Sequence, residues 1–407
     1  MPIIASGIRL TTLSEQSGRT VNVFCWIPPK RLVFIGIQHN RMIAAEGYDV
    51  QPWRTGGETV IAHRVGKLFA AAAQGDGVVK KVTKTALTIQ YDDPELGEEV
   101  FQLGTIIGKG PGKYYPHDLI TDYKVGDRVK DQDVVVFHRL YFKRDWWNPG
   151  QVVWRAGVLS LVGILDIPET HEDSSYIFDN LADRLVTPSI KSRTLIVDAH
   201  LNIRGLVKIG DHVEPRTILA TLEEPIATDL SDESQEAVEA LRRMSQYNPR
   251  ADVHGEVVQI DVLYRAQIED MSETMAALVG EADKARAKRV KELKLNEATT
   301  GRINNSNVRI DGNPLGENQI AIRIFMRYDL GAGMGDKGTF AAQAKSVVSS
   351  VGHGVNKTED GHTLDAIFSG TSIANRIIGS PEVVGTVNLG LLYATERAVD
   401  IYFNDAK

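Results

Sequence analysis

The chain has 407 residues, 43% of them apolar and 24% charged, and a formal net charge of −7. That balance excludes a disordered or collagen-like chain, and the length calls for roughly two to three cores. The one cysteine, Cys25, excludes internal disulfides and a thiolate zinc cage, and its setting in Val23-Phe24-Cys25-Trp26-Ile27 predicts a buried, inert thiol.

No apolar run reaches the ~18 residues of a membrane span, and the N-terminus lacks a signal pattern, so the chain is expected to stay where it is made, with no membrane partner. Net negative charge argues only weakly against a nucleic-acid partner, because a basic cleft can sit in an acidic surface.

Residues 1–75 mix short apolar runs with Gly and Pro punctuation such as Ile27-Pro28-Pro29 and Thr55-Gly56-Gly57. Short strands follow, Gly77 to Val82 and Ala86 to Tyr91. Val125-Gly126-Asp127-Arg128-Val129 leads five residues on to Val134-Val135, and Ile209-Gly210-Asp211-His212-Val213 leads equally to Ile218-Leu219. Each predicts a strand ending at a Gly-Asp turn and a second strand packing back on the first. Residues 224–250 are acidic and then rich in helix formers from Glu233 to Met244.

A further β segment begins at Gly255. From Ala266 to Leu295 apolar residues recur at Ile268, Met271, Met275, Leu278, Ala282 and Ala285, one face of a helix ~45 Å long. Its charge-rich end, Lys284 to Lys294, reads as a solvated face or as a surface along a nucleic-acid backbone. Asn296 to Asn318 is a loop-dominated return, and a strand from Gln319 to Phe325 then delivers the chain to Gly335-Asp336-Lys337.

Lys337 and Lys345 stand eight residues apart, and Arg376 follows 31 later. Three long cations around glycine-rich turns suit a polyphosphate, whose transfer depends on fixed positive charge more than on covalent chemistry. The plainer reading is a solvated turn. Gly331, Gly333 and Gly335, followed by an Ala-rich stretch, imitate a dinucleotide-binding βα unit, but Asp336 occupies the third glycine's place and would repel a pyrophosphate. The Walker pattern fails at the same residues.

Glu172 and Asp173 end the apolar run Val158 to Ile167, where adjacent carboxylates can steer a metal carried by substrate phosphates. Their local alternative is helix capping, with Asp173 ahead of Tyr176-Ile177-Phe178. No Asp-x-Asp-x-Asp triad occurs in the chain, so two-metal polymerisation would need its metal cage on another polypeptide.

These residues resemble the β (second-largest) subunit of multisubunit DNA-directed RNA polymerases. Gly335-Asp336-Lys337 through Lys345 to Val347-Val348-Ser349 is similar, without a gap, to that family's GDKMAGRHGNKGVIS stretch. Asp360-Gly361 and Asp365-Ala366-Ile367 resemble its dG...vDii pattern, and Ser369 to Arg376 overlies NPLGVPSR. Glu172-Asp173-Ser174 resembles the end of GYNFEDS, and His254-Gly255-Glu256-Val257-Val258 the HGESGTVIDV segment beside the flap. The matches are ordered over roughly residues 30–400. Departures are Pro168-Glu169-Thr170-His171 in place of GYNF, and Ala341-Ala342-Gln343-Ala344 where the family has an Arg-His pair between its lysines.

The resemblance implies a mixed, β-rich α+β chain: a double-psi β-barrel core with hammerhead or sandwich-hybrid β insertions, a flap-like module and one long helix. The implied segments are 1–75, an N-terminal part of the core; 76–190, a hairpin module with the Glu-Asp motif; 191–265, a flap-like wall; 266–300, the long helix; and 301–407, the lysine-bearing barrel segment. It further implies that Lys337 and Lys345 contact the RNA 3′ end and the α-phosphate, that Arg376, Arg31 and Arg41 contact triphosphate or nucleic acid, and that Glu172 and Asp173 steer a nucleotide-borne Mg²⁺. The other Mg²⁺ ligands would lie on β′-like subunits. An N-terminal β-like piece, template DNA, RNA transcript and NTPs complete the implied partners.

A chain that opens inside the usual subunit is similar to the split β subunits of jumbo bacteriophages, which places it in the infected cell's cytoplasm or within a virion. A dinucleotide-dependent oxidoreductase and a non-catalytic assembly or virion protein are the alternatives.

Overall fold

The computed structural model describes residues 4–15, 18–23, 41–50, 54, 56–110, 113–155, 157–225, 246–294, 300–303, 309–310, 312–340, 344–354, 356–359, 361–375 and 380–403. Cys25, Arg31, Arg376 and the Glu233 to Met244 segment lie outside them. The fold is β-rich α+β. It divides into two compact units, one of Met1–Ile106, His117–Pro188 and Leu330–Lys407, the other of Ile107–Pro116 and Ser189–Asp329.

The first unit is organised by seven strands: β1 (Ile4–Glu15), β2 (Gly18–Val23), β3 (Val158–Ile164), β4 (Ser174–Phe178), β5 (Lys337–Phe340), β6 (Ala344–Gly352) and β7 (Ala366–Phe368). Hydrogen bonding runs β3-β7-β4-β6-β5-β2-β1, and β1 pairs back onto β3, so the ring of strands closes and leaves no open edge among them. Three pairings are parallel, with Val162 beside Ala366, Ser174 beside Val347 and Thr20 beside Lys337. Each parallel pair joins segments far apart in sequence, and so draws residues from the start, middle and end of the chain into one ring.

Alternation packs the ring. Val158, Val162, Ile177, Phe340, Val348, Ala366 and Phe368 are buried in one cluster, which also takes in Tyr48, Leu181 and Leu185. Asp365 is buried beside it and is fully engaged: the Leu161 N–H donates to Oδ2 at 2.7 Å, Asn180 Nδ2 donates to Oδ1, and Arg184 forms an ion pair with it. A buried carboxylate without such partners would cost several kcal/mol. Gly47 is fixed by sterics, since a Cβ there would lie 2.5 Å from the Arg184 carbonyl oxygen.

The second unit carries the strands Gly255–Tyr264 and Gln319–Leu330, paired antiparallel from Glu256–Arg327 to Tyr264–Ile320. Against them packs the helix Glu273–Leu293, with Met275 and Val279 fully buried. The helix is shorter than the rod predicted over Ala266 to Leu295, about 32 Å at 1.5 Å per residue. Ser272 caps it by accepting from the Met275 N–H at 3.2 Å, so Ile268 falls in a preceding 3₁₀ turn and is 57% exposed.

The Gly-Asp turns form where predicted, but the strands after them do not pack back on each other. Arg128–Val129 pairs with Gly77–Val82, and Val134–His138 with Ala70–Ala72; His212–Val213 pairs with Gly255–Tyr264, and Thr221–Glu223 with Asn202–Arg204. Five residues leave room to change partner strands, and the turn bonds outward to a third segment instead.

Candidate functional site

Glu172 and Asp173 stand at the mouth of β4 on a loop that is stapled from within. Pro168–Thr170 forms a 3₁₀ turn, the Ile167 N–H donates to Thr170 Oγ1 at 3.0 Å, and Ser174 Oγ lies 2.6 Å from the His171 carbonyl. Glu172 takes a left-handed backbone, φ 52°, and its carbonyl accepts from Ser372 Oγ. Both carboxylates are exposed.

The expectation that Asp173 caps a helix is overturned. Ser174–Phe178 is a strand with Ser175 and Ile177 buried in alternation, and the short helix starts only at Asp179. The aromatic and β-branched run Tyr176-Ile177-Phe178 fits a pleated sheet better than a helix start.

The ladder then connects this loop to the lysines. The Val347 N–H donates to the Asp173 carbonyl at 2.9 Å, Ser174 pairs with Val347, Val347 with Lys337, and Lys337 with Thr20. With strands ~4.8 Å apart, position 337 lies ~10 Å from the start of β4, and position 345 is ~7 Å along β6 from Val347. Register positions 337 and 345 share the parity of Val347, which is 40% exposed, and not that of Phe340, Ser346 and Val348, each at most 3% exposed. Two lysine positions therefore share one row of the ring, and the turn bearing Glu172 and Asp173, more than 160 residues earlier in the chain, joins that row's end through the Asp173 carbonyl.

The ring also settles the dinucleotide imitation. Lys337–Phe340 and Ala344–Gly352 are both strands, paired antiparallel, so no helix N-terminus follows Gly331, Gly333 and Gly335 to receive a pyrophosphate. Asp336 serves the turn itself, accepting from the Gly333 N–H at 2.9 Å.

Arg41 begins the strand Arg41–Ile43, which pairs with β1 at Ser14, itself opposite Arg19. That is the end of the ring bearing Lys337, but position 41 has Arg19's parity and so the opposite one to Thr20 and Lys337. Sequence reasoning missed the anchor of the segment leading to Arg376. Ser369 Oγ accepts from the Ser372 N–H at 3.1 Å to cap the helix Gly370–Asn375, and Asp166 accepts from Ser369 Oγ at 2.8 Å, Thr371 Oγ1 at 2.9 Å and the Thr371 N–H at 3.2 Å. The run Ser369-Gly370-Thr371-Ser372 is a capping signal that could have been read. These bonds, that of Ser369 first, hold the Asp166 carboxyl below the usual carboxylate range.

The arrangement brings two lysine positions of one strand row near a turn that carries two exposed carboxylates. Among the described residues no group of three or more His, Cys, Asp or Glu gathers as a metal cage. Compared with known proteins, the chain matches no family model, and no curated protein matches it.

Proposed function

We propose that the chain is a β-like subunit of a multisubunit DNA-directed RNA polymerase, a C-terminal portion that contributes half of the active cleft for nucleotidyl transfer from NTPs to an RNA 3′ end. The observation that carries the reading is the ladder: positions 337 and 345 share the parity of Val347 on adjacent strands, and Val347 also bonds the Asp173 carbonyl where a third strand begins, although nothing in their sequence spacing requires it. The parallel pairings of the closed ring are compatible with the double-psi barrel that the resemblance implies.

In this reading Lys337 and Lys345 stabilise negative charge that grows on the α-phosphate oxygens as the 3′-hydroxyl attacks and pyrophosphate departs. Arg376, at the end of a segment tied to the Glu172 carbonyl through Ser372, meets the triphosphate. Glu172 and Asp173 orient a hydrated Mg²⁺ brought in by the nucleotide. Two exposed carboxylates cannot hold a catalytic ion by themselves, so the remaining ligands belong to a β′-like partner, and the chain polymerises nothing alone.

The test is purification from the native source followed by elongation assays. Co-purification with other large subunits, and RNA synthesis that needs both this chain and its partners, supports the proposal. A single self-sufficient enzyme, or a complex whose synthesis ignores loss of Lys337, would leave the non-catalytic assembly role.

A further inference from the structure

Between Lys284 and Lys291 the helix Glu273–Leu293 carries five cations and no acid: Lys284, Arg286, Lys288, Arg289 and Lys291. Lys284, Lys288 and Lys291 are all exposed and follow the i, i+4, i+7 spacing of a single face, so they form a straight stripe ~10 Å long. Among the described residues no ion pair joins these three to an acid. The flanking acid Asp283 is turned to other use, accepting from the Tyr264 hydroxyl at 2.7 Å. Glu281 and Glu292 bound the stripe at three residues before Lys284 and four after Lys288, but like charges four apart weaken a helix between them, and in a chain of net charge −7 this exposed cationic run goes against the overall charge balance.

We propose that this stripe binds the phosphate backbone of duplex DNA. The charge is complementary, and the helix contains no Phe, Tyr, Trp or His, so it offers no platform on which the bases of a single strand could stack. The stripe belongs to the second unit and the lysine ring to the first, so this inference and the polymerase reading can fail separately.

The experiment measures binding of the full chain to a fluorescent random-sequence duplex, and to a single-stranded RNA of equal length, between about 50 and 200 mM salt. In the triple variant Lys284→Ala/Lys288→Ala/Lys291→Ala the slope of log K against log salt for the duplex should fall by about 3, with at least tenfold weaker binding at about 100 mM salt. Alanine at exposed helix positions preserves the fold, which circular dichroism checks, and a Lys→Gln triple repeats the test. Removing three exposed lysines of the first unit, Lys67, Lys124 and Lys130, should leave the slope within about 1 of the parent's. The proposal is overturned if the parent chain does not bind the duplex at the lowest salt, if the helix variant keeps its slope, if the control lowers the slope as much, or if only RNA binding is lost.

Discussion

Gly126-Asp127, Gly210-Asp211 and Gly335-Asp336 are three copies of one turn. The glycines have φ of 95°, 97° and 88°, the left-handed third position of a type II turn. Each aspartate accepts a backbone N–H three residues back, from Lys124 and Lys208 at 2.7 Å and Gly333 at 2.9 Å. Each turn grips one buried valine on a neighbouring strand through two backbone bonds, Val79, Val257 and Val348. What differs is the next residue: Arg128 and His212 open strands of two residues, while Lys337 opens a strand of the ring beside Val347 and the Glu172-Asp173 loop. The turn is thus a folding device used three times, and only the third copy leads into a strand of the closed ring. Asp336, despite lying in the motif, belongs to the device.

The contrast is sharpest at the residue after the turn. Lys337→Ala in the reconstituted complex should lower the elongation rate by about 10²–10³, the scale for loss of one fixed donor at developing charge. Arg128→Ala and His212→Ala should leave that rate within about twofold, since exposed pairs such as Arg128–Asp92 contribute little even to stability. Equal losses at all three positions would mean that Lys337 acts through folding.

Much of this is legible in the chain. Gly77–Val82 and Ala86–Tyr91 form as strands where alternation predicts them, and the helix starts at a serine cap. The first two turns are readable from repetition, but the third copy is hidden because its glycines imitate a dinucleotide loop. Asp173 reads locally as a cap because carboxylates precede helices more often than parallel strands, and only the long-range pairing of Ser174 with Val347 decides between them. The roles of Asp166 and Asp365 depend on partners up to 205 residues away, which no local pattern encodes.

The device itself can be tested next. Gly126→Ala, Gly210→Ala and Gly335→Ala should each cost about 1–2 kcal/mol, because a Cβ in the left-handed region meets the following carbonyl. Crowding does not add to this, as no other atom lies within 4 Å of where the new methyl would sit at any of the three glycines. Asp→Ala at each turn should cost about 1 kcal/mol. Denaturant midpoints measured for the six variants should fall into two groups by residue type. If Asp336→Ala instead impairs elongation far beyond its effect on stability, the aspartate acts in the chemistry and the three turns are not equivalent.

The smallest effect concerns the carboxylate that holds the neighbouring segment without a glycine turn. Asp166 binds Ser369 and Thr371, and its carboxyl lies below the usual range in the folded chain. A depressed folded value means that its contribution is complete above the ordinary aspartate range, near ~3.9, and is lost as pH falls through the folded value. Acid should therefore loosen the Ser369 to Asn375 segment before neutral-pH stability changes. Hydrogen exchange at the Thr371 and Ser372 amides should rise below about pH 4 in the parent chain. In Asp166→Asn it should be already raised at neutral pH and flat with acid. A parent and variant with the same acid dependence would show that the segment is held by its own helix cap, the Ser369 hydroxyl on the Ser372 amide, and that Asp166 plays no part comparable to that of Asp336.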